Sequence, residues 1–284
     1  MMQGATTVKK RSKRGTVPAR KVTYHEVPGP IARRFFFYRS NNEVPGAPLL
    51  VSVHGIARNA AAHVYKLIDE AERYGLSIVA PLFEKKLYGQ YQQLVDSRTG
   101  VRADLALIDI LDICGRLSAA SVERVLMFGF SGGAQFSHRF TLAYPRRVAS
   151  AILVSAGWYT FPDEALDYPF GLRSDAVSGF PGWDLAEALR VPQHVMVGEL
   201  DVGRDGSLRQ SPWLDCEQGV TRIERARRWV DAMRCAGALG IGCRVPSFSI
   251  LPGVAHSFSD AVETAFLPRL VCERFAADAN LAVT

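Results

Sequence analysis

Gly129-Phe130-Ser131-Gly132-Gly133 is the stretch of this chain best suited to chemistry. The apolar run Val125-Leu126-Met127-Phe128 precedes it and reads as a buried parallel strand. The residues after it, Ala134 to Tyr144, read as a helix that Pro145 stops. A serine at such a sharp strand-to-helix turn matches the G-x-S-x-G elbow, where it is held strained and exposed as a nucleophile. The glycines leave room for the turn and for neighbouring backbone. The helix N-terminus beneath favours developing negative charge.

A serine hydroxyl attacks at neutral pH only when a base takes its proton. The base is normally an imidazole that a carboxylate orients. On an elbow of this kind the chain order is serine, acid, histidine. The six histidines are His25, His54, His63, His138, His194 and His256. His138 is two helical turns beyond Ser131 and would point away from it. His194 precedes the best acid candidate, and His256 alone follows both. Asp201, in the loop after the strand Val195-Met196-Val197, is the expected acid, with Asp205 as the alternative. Asp215 and Asp231 fit less well. The oxyanion of an acyl-transfer intermediate needs N–H donors, which the Gly132 and Ile56 amides would supply. His54 then has a structural part, hydrogen-bonded near its own loop.

Those residues need elements to position them. Strands are expected at Ile31 to Tyr38, Leu49 to Val53, Ser77 to Ala80, Val125 to Phe128, Val148 to Val154, Val195 to Val197 and Ser247 to Leu251. Helices are expected from Ala60 to Tyr74 with Gly75 as cap, from Asp104 to Leu117, from Thr221 to Ala238 with a basic face, and from Asp260 to Ala277. Residues 160 to 190 read as an excursion with one short helix at Asp184 to Leu189, and Val202 to Gly219 as mostly loop. Residues 82 to 100 lack a firm pattern and would lie near the site. Alternating strands and helices predict an α/β architecture, a mainly parallel sheet covered on both faces. Ligands of such sheets bind outside the carboxyl ends of the strands. The His54-Gly55, Ser131, Asp201 and His256 segments each follow a strand, so they converge there.

The chain has 284 residues and a net charge of +6. Residues 1 to 40 hold ten Lys/Arg against one Glu; the other 244 hold 24 basic against 27 acidic groups. The excess therefore belongs to an N-terminal arm, residues 1–29, with Lys9, Lys10, Arg11, Lys13 and Arg14 clustered. The arm reads as a solvated, disordered tail, and tethering to nucleic acid or anionic lipid is its other reading. The domain spans 30–284. Its charge balance argues against a nucleic-acid-binding body. No run is long and apolar enough to span a bilayer, and no secretory signal is visible. An odd set of cysteines, Cys114, Cys216, Cys235, Cys243 and Cys272, fits free thiols in a reducing, cytoplasmic compartment. No C-x-x-C or H-x-x-x-H spacing suggests zinc.

The elbow pentapeptide, His54-Gly55-Ile56, Gly198-Glu199-Leu200-Asp201 and Gly253-Val254-Ala255-His256 together resemble an α/β-hydrolase superfamily member over residues 31 to 277. Within it, His54-Gly55-Ile56-Ala57-Arg58-Asn59-Ala60 is similar to polyhydroxyalkanoate-depolymerase-like and feruloyl-esterase-like enzymes. The resemblance implies the α/β-hydrolase fold, with a small excursion after the sixth strand. It implies acyl transfer from a small or oligomeric ester to water through Ser131, Asp201 and His256, with no metal or organic cofactor. It also implies substrate contacts from residues 82–100 and 156–190, with Trp158, Tyr159, Phe161, Phe180 and Trp183 as lining or, equally, as core. Arg58 would meet an acidic substrate group or a surface partner. A peptidase, thioesterase or acyltransferase would share the triad. A non-catalytic binding protein of this fold would be expected to lack one member of it.

Overall fold

A computed structural model of the chain describes residues 20–174, 182–238, 240 and 242–281. Among these residues eight strands make one sheet: β1 (Val22–Val27), β2 (Arg33–Tyr38), β3 (Pro48–Val53), β4 (Ile78–Pro81), β5 (Ser121–Phe130), β6 (Val148–Val154), β7 (Gln193–Gly198) and β8 (Ser247–Leu251). Their spatial order is β1-β2-β4-β3-β5-β6-β7-β8. Strands β3 to β8 are mutually parallel, whereas β1–β2 and β2–β4 pair antiparallel.

The central strands are buried on both faces, so successive residues feed two cores. Val125 and Met127 of β5 pack on one side, and Leu126 and Phe128 on the other. On β6 the split is Ala151 and Leu153 against Ile152 and Val154. The first core is covered by α2 (Ala103–Leu117), α3 (Gly132–Ala143) and α6 (Arg222–Gly237), through residues such as Leu107, Leu111, Phe136, Phe140, Trp229 and Met233. The second is covered by α1 (Ala60–Arg73), α7 (Phe258–Thr264) and α8 (Leu267–Ala279), through Val64, Leu67, Phe258, Val271 and Phe275. Two short helices, α4 (Leu185–Ala188) and α5 (Pro212–Glu217), lie in the long connections. The excursion follows β6, as expected.

Two boundaries differ from the sequence reading. The expected arm over residues 1–29 contains β1, which pairs along its whole length with β2. Its half-exposed edge position needs no continuous apolar run, so hydropathy does not reveal it. The clustered basic residues Lys9 to Arg14 lie outside the described residues, as does Phe180. The single closing helix expected from Asp260 to Ala277 is two, because Phe266 takes a left-handed conformation (φ 50°) and Pro268 starts α8. The Val202–Gly219 loop holds α5, capped by Ser211. Among the described residues no helix is long and apolar enough to cross a membrane, and all five cysteines are free thiols.

Candidate active site

The elbow follows from close approach. A β-carbon on Gly129 would lie 2.3 Å from the Gly133 carbonyl oxygen, and one on Gly133 would lie 2.0 Å from that of Val53. Only glycine permits both contacts. Between them Ser131 adopts φ 54°, ψ −115°. A non-glycine residue there costs about 1–3 kcal/mol and persists only where its surroundings enforce it. Its N–H donates to the Val154 carbonyl (2.8 Å), which ties the turn to β6.

The loops after β7 and β8 bring the other two groups alongside. Glu199 N–H donates to the Leu251 carbonyl and Leu200 N–H to that of Val254, each at 2.9 Å. The Glu199 carboxylate accepts from Gly253 N–H at 2.9 Å. A β-carbon on Gly198 would meet the Val254 carbonyl oxygen at 2.3 Å, so glycine is what lets these loops close together. Asp201 ends one of them in a turn onto Gly198. His256 ends the other, one residue before Ser257 caps α7. The result is a hydrogen-bonded chain. His256 Nδ1 is 2.7 Å from Asp201 Oδ2, and His256 Nε2 is 3.0 Å from Ser131 Oγ. A carboxylate can only accept, so Nδ1 carries the proton and Nε2 is free to accept from the serine hydroxyl. The imidazole stacks on Phe130 with ring centres 5.5 Å apart. Asp201 is fully buried, whereas the His256 side chain is 18% exposed, which leaves it open to a reactant.

Backbone amide groups lie beside this chain. A β-carbon on Gly55 would be 3.4 Å from the Ser131 β-carbon, and one on Gly132 would be 3.5 Å from the Ile56 nitrogen. The loop after β3 is therefore pressed against the elbow. Gly132 opens α3, so its N–H is one of the orphan donors of a helix N-terminus. Tyr91 completes this corner, and nothing in its spacing marks it in the sequence. Its hydroxyl donates to the His54 carbonyl (2.8 Å) and sits where a Gly132 side chain would go.

The other histidines have partners elsewhere. His54 Nδ1 donates to the Gly55 carbonyl (2.8 Å) and Nε2 accepts from Phe83 N–H (3.0 Å), the structural part expected of it. Burial pushes its imidazole down to about 4, which keeps it neutral. His138 bonds the Ala134 carbonyl and accepts from Thr160 N–H. His194 pairs with Asp278 on the far side of the sheet. Asp205, the alternative acid, instead accepts from the hydroxyl and amide of Ser207, which hold its carboxyl below the usual carboxylate range.

The expected substrate contacts Arg58, Trp158 and Tyr159 are occupied by protein groups. Arg58 donates to the carbonyls of Phe83, Tyr88 and Gly89 and lies over the Tyr91 ring, 4.9 Å from its centre. It thus fastens the 83–91 loop. Trp158 is buried with the Arg139 guanidinium 4.2 Å from its ring centre and Arg209 on it at 5.2 Å. Tyr159 is fully buried and stacks on Trp229, with Gln218 bridging its backbone amide and carbonyl. The exposed apolar side chain next to the elbow is that of Ile56. Among the described residues no cluster of three or more His, Cys, Asp or Glu side chains is gathered to hold a metal.

No protein-family model matches the chain. It is 27% identical over 177 residues to a Bacillus subtilis (strain 168) protein described as an uncharacterized carboxylesterase, nap, covering 60% of this chain and 55% of that one. The chain thus spans about half the length of that curated relative. Among solved structures it resembles poly(aspartic acid) hydrolase-1 from Sphingomonas sp. KT-1, with TM-score 0.74, 22% identity, and coverage of 88% of this chain and 98% of that one. It also resembles LpqC, a poly(3-hydroxybutyrate) depolymerase from Bordetella parapertussis, with TM-score 0.72, 23% identity, and coverage of 92% and 94%. The chain adopts the α/β-hydrolase fold of these proteins.

Proposed function

We propose that this protein is a serine hydrolase that cleaves carboxylic esters through an acyl-enzyme. The observation that carries the reading is the Ser131–His256–Asp201 hydrogen-bond chain set on a strained elbow. Ser131 Oγ attacks the ester carbonyl as His256 Nε2 takes its proton. Asp201 holds the imidazole in the needed tautomer and balances the imidazolium. The Ile56 and Gly132 amides receive the developing oxyanion, each worth about 3 kcal/mol of barrier. His256 then protonates the departing alcohol, and a water activated by the same nitrogen releases the acid. No step in this sequence calls on a metal or an organic cofactor.

The carboxylesterase likeness and the poly(3-hydroxybutyrate) depolymerase of the same fold support an ester substrate. The exposed Ile56 side chain beside the elbow supports an open, apolar acyl-binding surface. The test is a p-nitrophenyl ester panel, from acetate to octanoate, on wild type and Ser131→Ala. Short-chain activity lost in the variant is the expected result. Equal turnover by both proteins would discard Ser131 and the reading with it.

A further inference from the structure

The geometry points to Arg222 as a positioning residue that clamps the acid of the triad and sets the pH range over which the triad works. This rests on the serine-hydrolase reading above. Arg222 is the first residue of α6, where a cation is opposed by the helix dipole. The helix start itself is specified by others: Thr221 Oγ1 accepts from Glu224 N–H, and the Glu224 carboxylate accepts from Val220 N–H. Arg222 is thus not needed to begin the helix. Yet its side chain is 1% exposed, against 0% for the Asp201 it pairs with.

Among the described residues its side-chain hydrogen bonds go to the triad acid and the loop beside it. Arg222 Nη1 donates to Asp201 Oδ1 at 2.9 Å, and Nη2 donates to Ser207 Oγ at 2.8 Å. Ser207 Oγ in turn donates to the Asp205 carboxylate at 2.5 Å. Asp201 therefore has each oxygen committed, Oδ2 to the imidazole and Oδ1 to the guanidinium. A buried ion pair adds little net stability against an apolar replacement, because desolvation offsets the attraction. Stability is a weak reason for this one. Fixing the carboxylate rotamer and compensating its buried charge is a stronger reason.

The charged and titratable groups around the dyad are few. Asp205 lies within electrostatic reach of His256 from the loop after β7. Arg225, one turn further along α6, is drawn away to Asp215 and the Gly157 carbonyl. The Tyr159 phenol, within reach of Asp201 and Arg222, is pushed up by burial and stays neutral. Arg222 is thus the cation in direct contact with the dyad. Its charge balances the buried Asp201 carboxylate and repels further positive charge on the dyad. Without it the active form should be lost earlier on acidification.

The test is the pH dependence of kcat and KM for p-nitrophenyl acetate in wild type, Arg222→Gln and Arg222→Lys. Folding is checked by circular dichroism, and Ser131 is titrated with a fluorophosphonate. In Arg222→Gln the acid limb of kcat/KM should move up by about one pH unit. The deficit should approach tenfold on the acid side of the limb, narrow above pH 8, and fall on kcat with KM within twofold. Arg222→Lys should return the limb most of the way. A pH-independent loss, an unmoved limb, or a lysine variant no better than glutamine would overturn the proposal. If Arg222→Gln does not fold, Ser207→Ala loosens the clamp with the ion pair kept. A smaller upward shift of the limb there supports the proposal, and no shift overturns it. Wild type that neither turns over ester nor labels at Ser131 would instead sink the hydrolase reading.

Discussion

The sheet carries two hydrogen-bonded Ser–His–Asp chains, one at each end. At the carboxyl end Ser131, His256 and Asp201 come from three different loops. At the amino end Ser247 of β8 lies 2.7 Å from His194 Nδ1 of β7, and His194 Nε2 lies 2.8 Å from Asp278 of α8. Residue types and distances are nearly the same, but the wiring is reversed. The carboxylate takes Nδ1 in the first and Nε2 in the second. More important is what surrounds each serine. Ser131 sits at φ 54° on the N-terminus of a twelve-residue helix, with the loop after β3 pressed against the elbow at Gly55 and Ile56. Ser247 lies in register opposite His194 in an ordinary strand pair. The comparison teaches that the same three side chains in a row can sit in very different backbone settings. Backbone strain, a helix terminus and amide donors are what separate the two.

The largest effect should come from the serines themselves. Ser131→Ala should lower ester turnover by about 10⁴-fold or more, whereas Ser247→Ala should leave it within about twofold. Equal losses, measured as kcat/KM on p-nitrophenyl acetate, would erase the distinction.

Next comes the elbow. A Gly133→Ala side chain would lie 2.0 Å from the Val53 carbonyl oxygen, on a backbone that cannot give way. It should cost about 3 kcal/mol of stability, read by urea unfolding, and should remove activity. Gly206→Ala, with nothing within 4 Å, should do neither.

The amino-end chain should matter for stability instead. Burial works to raise the Asp278 carboxyl, but the hydrogen bonds from His194 and Ser150 outweigh it and hold it below the usual range. A depressed carboxyl stabilises the fold above its unfolded value near 4 and loses that contribution as the pH falls below it. Asp278→Asn should lower Tm at neutral pH by about 2–4 °C, with esterase activity unchanged. The gap from wild type should close below about pH 4. A gap that persists into acid would show that charge is not its source.

The smallest effect concerns two buried neutral histidines near the carboxyl end. Burial lowers His54 to about 4 and His63 to about 3. Unfolded histidines take protons near 6.5, so acidification below that value favours the unfolded chain. Tm should therefore decline from about pH 6.5 downward, and more gently in His63→Gln. Identical slopes would remove His63 from the explanation.

Much of this was legible before any coordinates. Apolar runs mark the parallel strands because burial on both faces demands them, and the order serine, acid, histidine singles out His256, which the structure places 3.0 Å from Ser131. Other parts are illegible for physical reasons. Strand β1 is a half-exposed edge, so its hydropathy resembles that of a tail. Arg222 belongs to a helix that also holds the exposed Arg227, Arg228 and Arg234, and spacing does not tell which arginine turns inward. Arg58, Trp158 and Tyr159 carry the residue types of a binding surface, yet their neighbours consume their contacts. The break between α7 and α8 had a signal, Pro268, but helical periodicity on both sides runs through it.

The most direct measurement is peptide mapping by mass spectrometry after reaction with a fluorophosphonate. One adduct per chain on the peptide containing Ser131, absent after Ser131→Ala, is the expected result. An ester-hydrolysing protein whose adduct lies on another residue, Ser247 included, would contradict it.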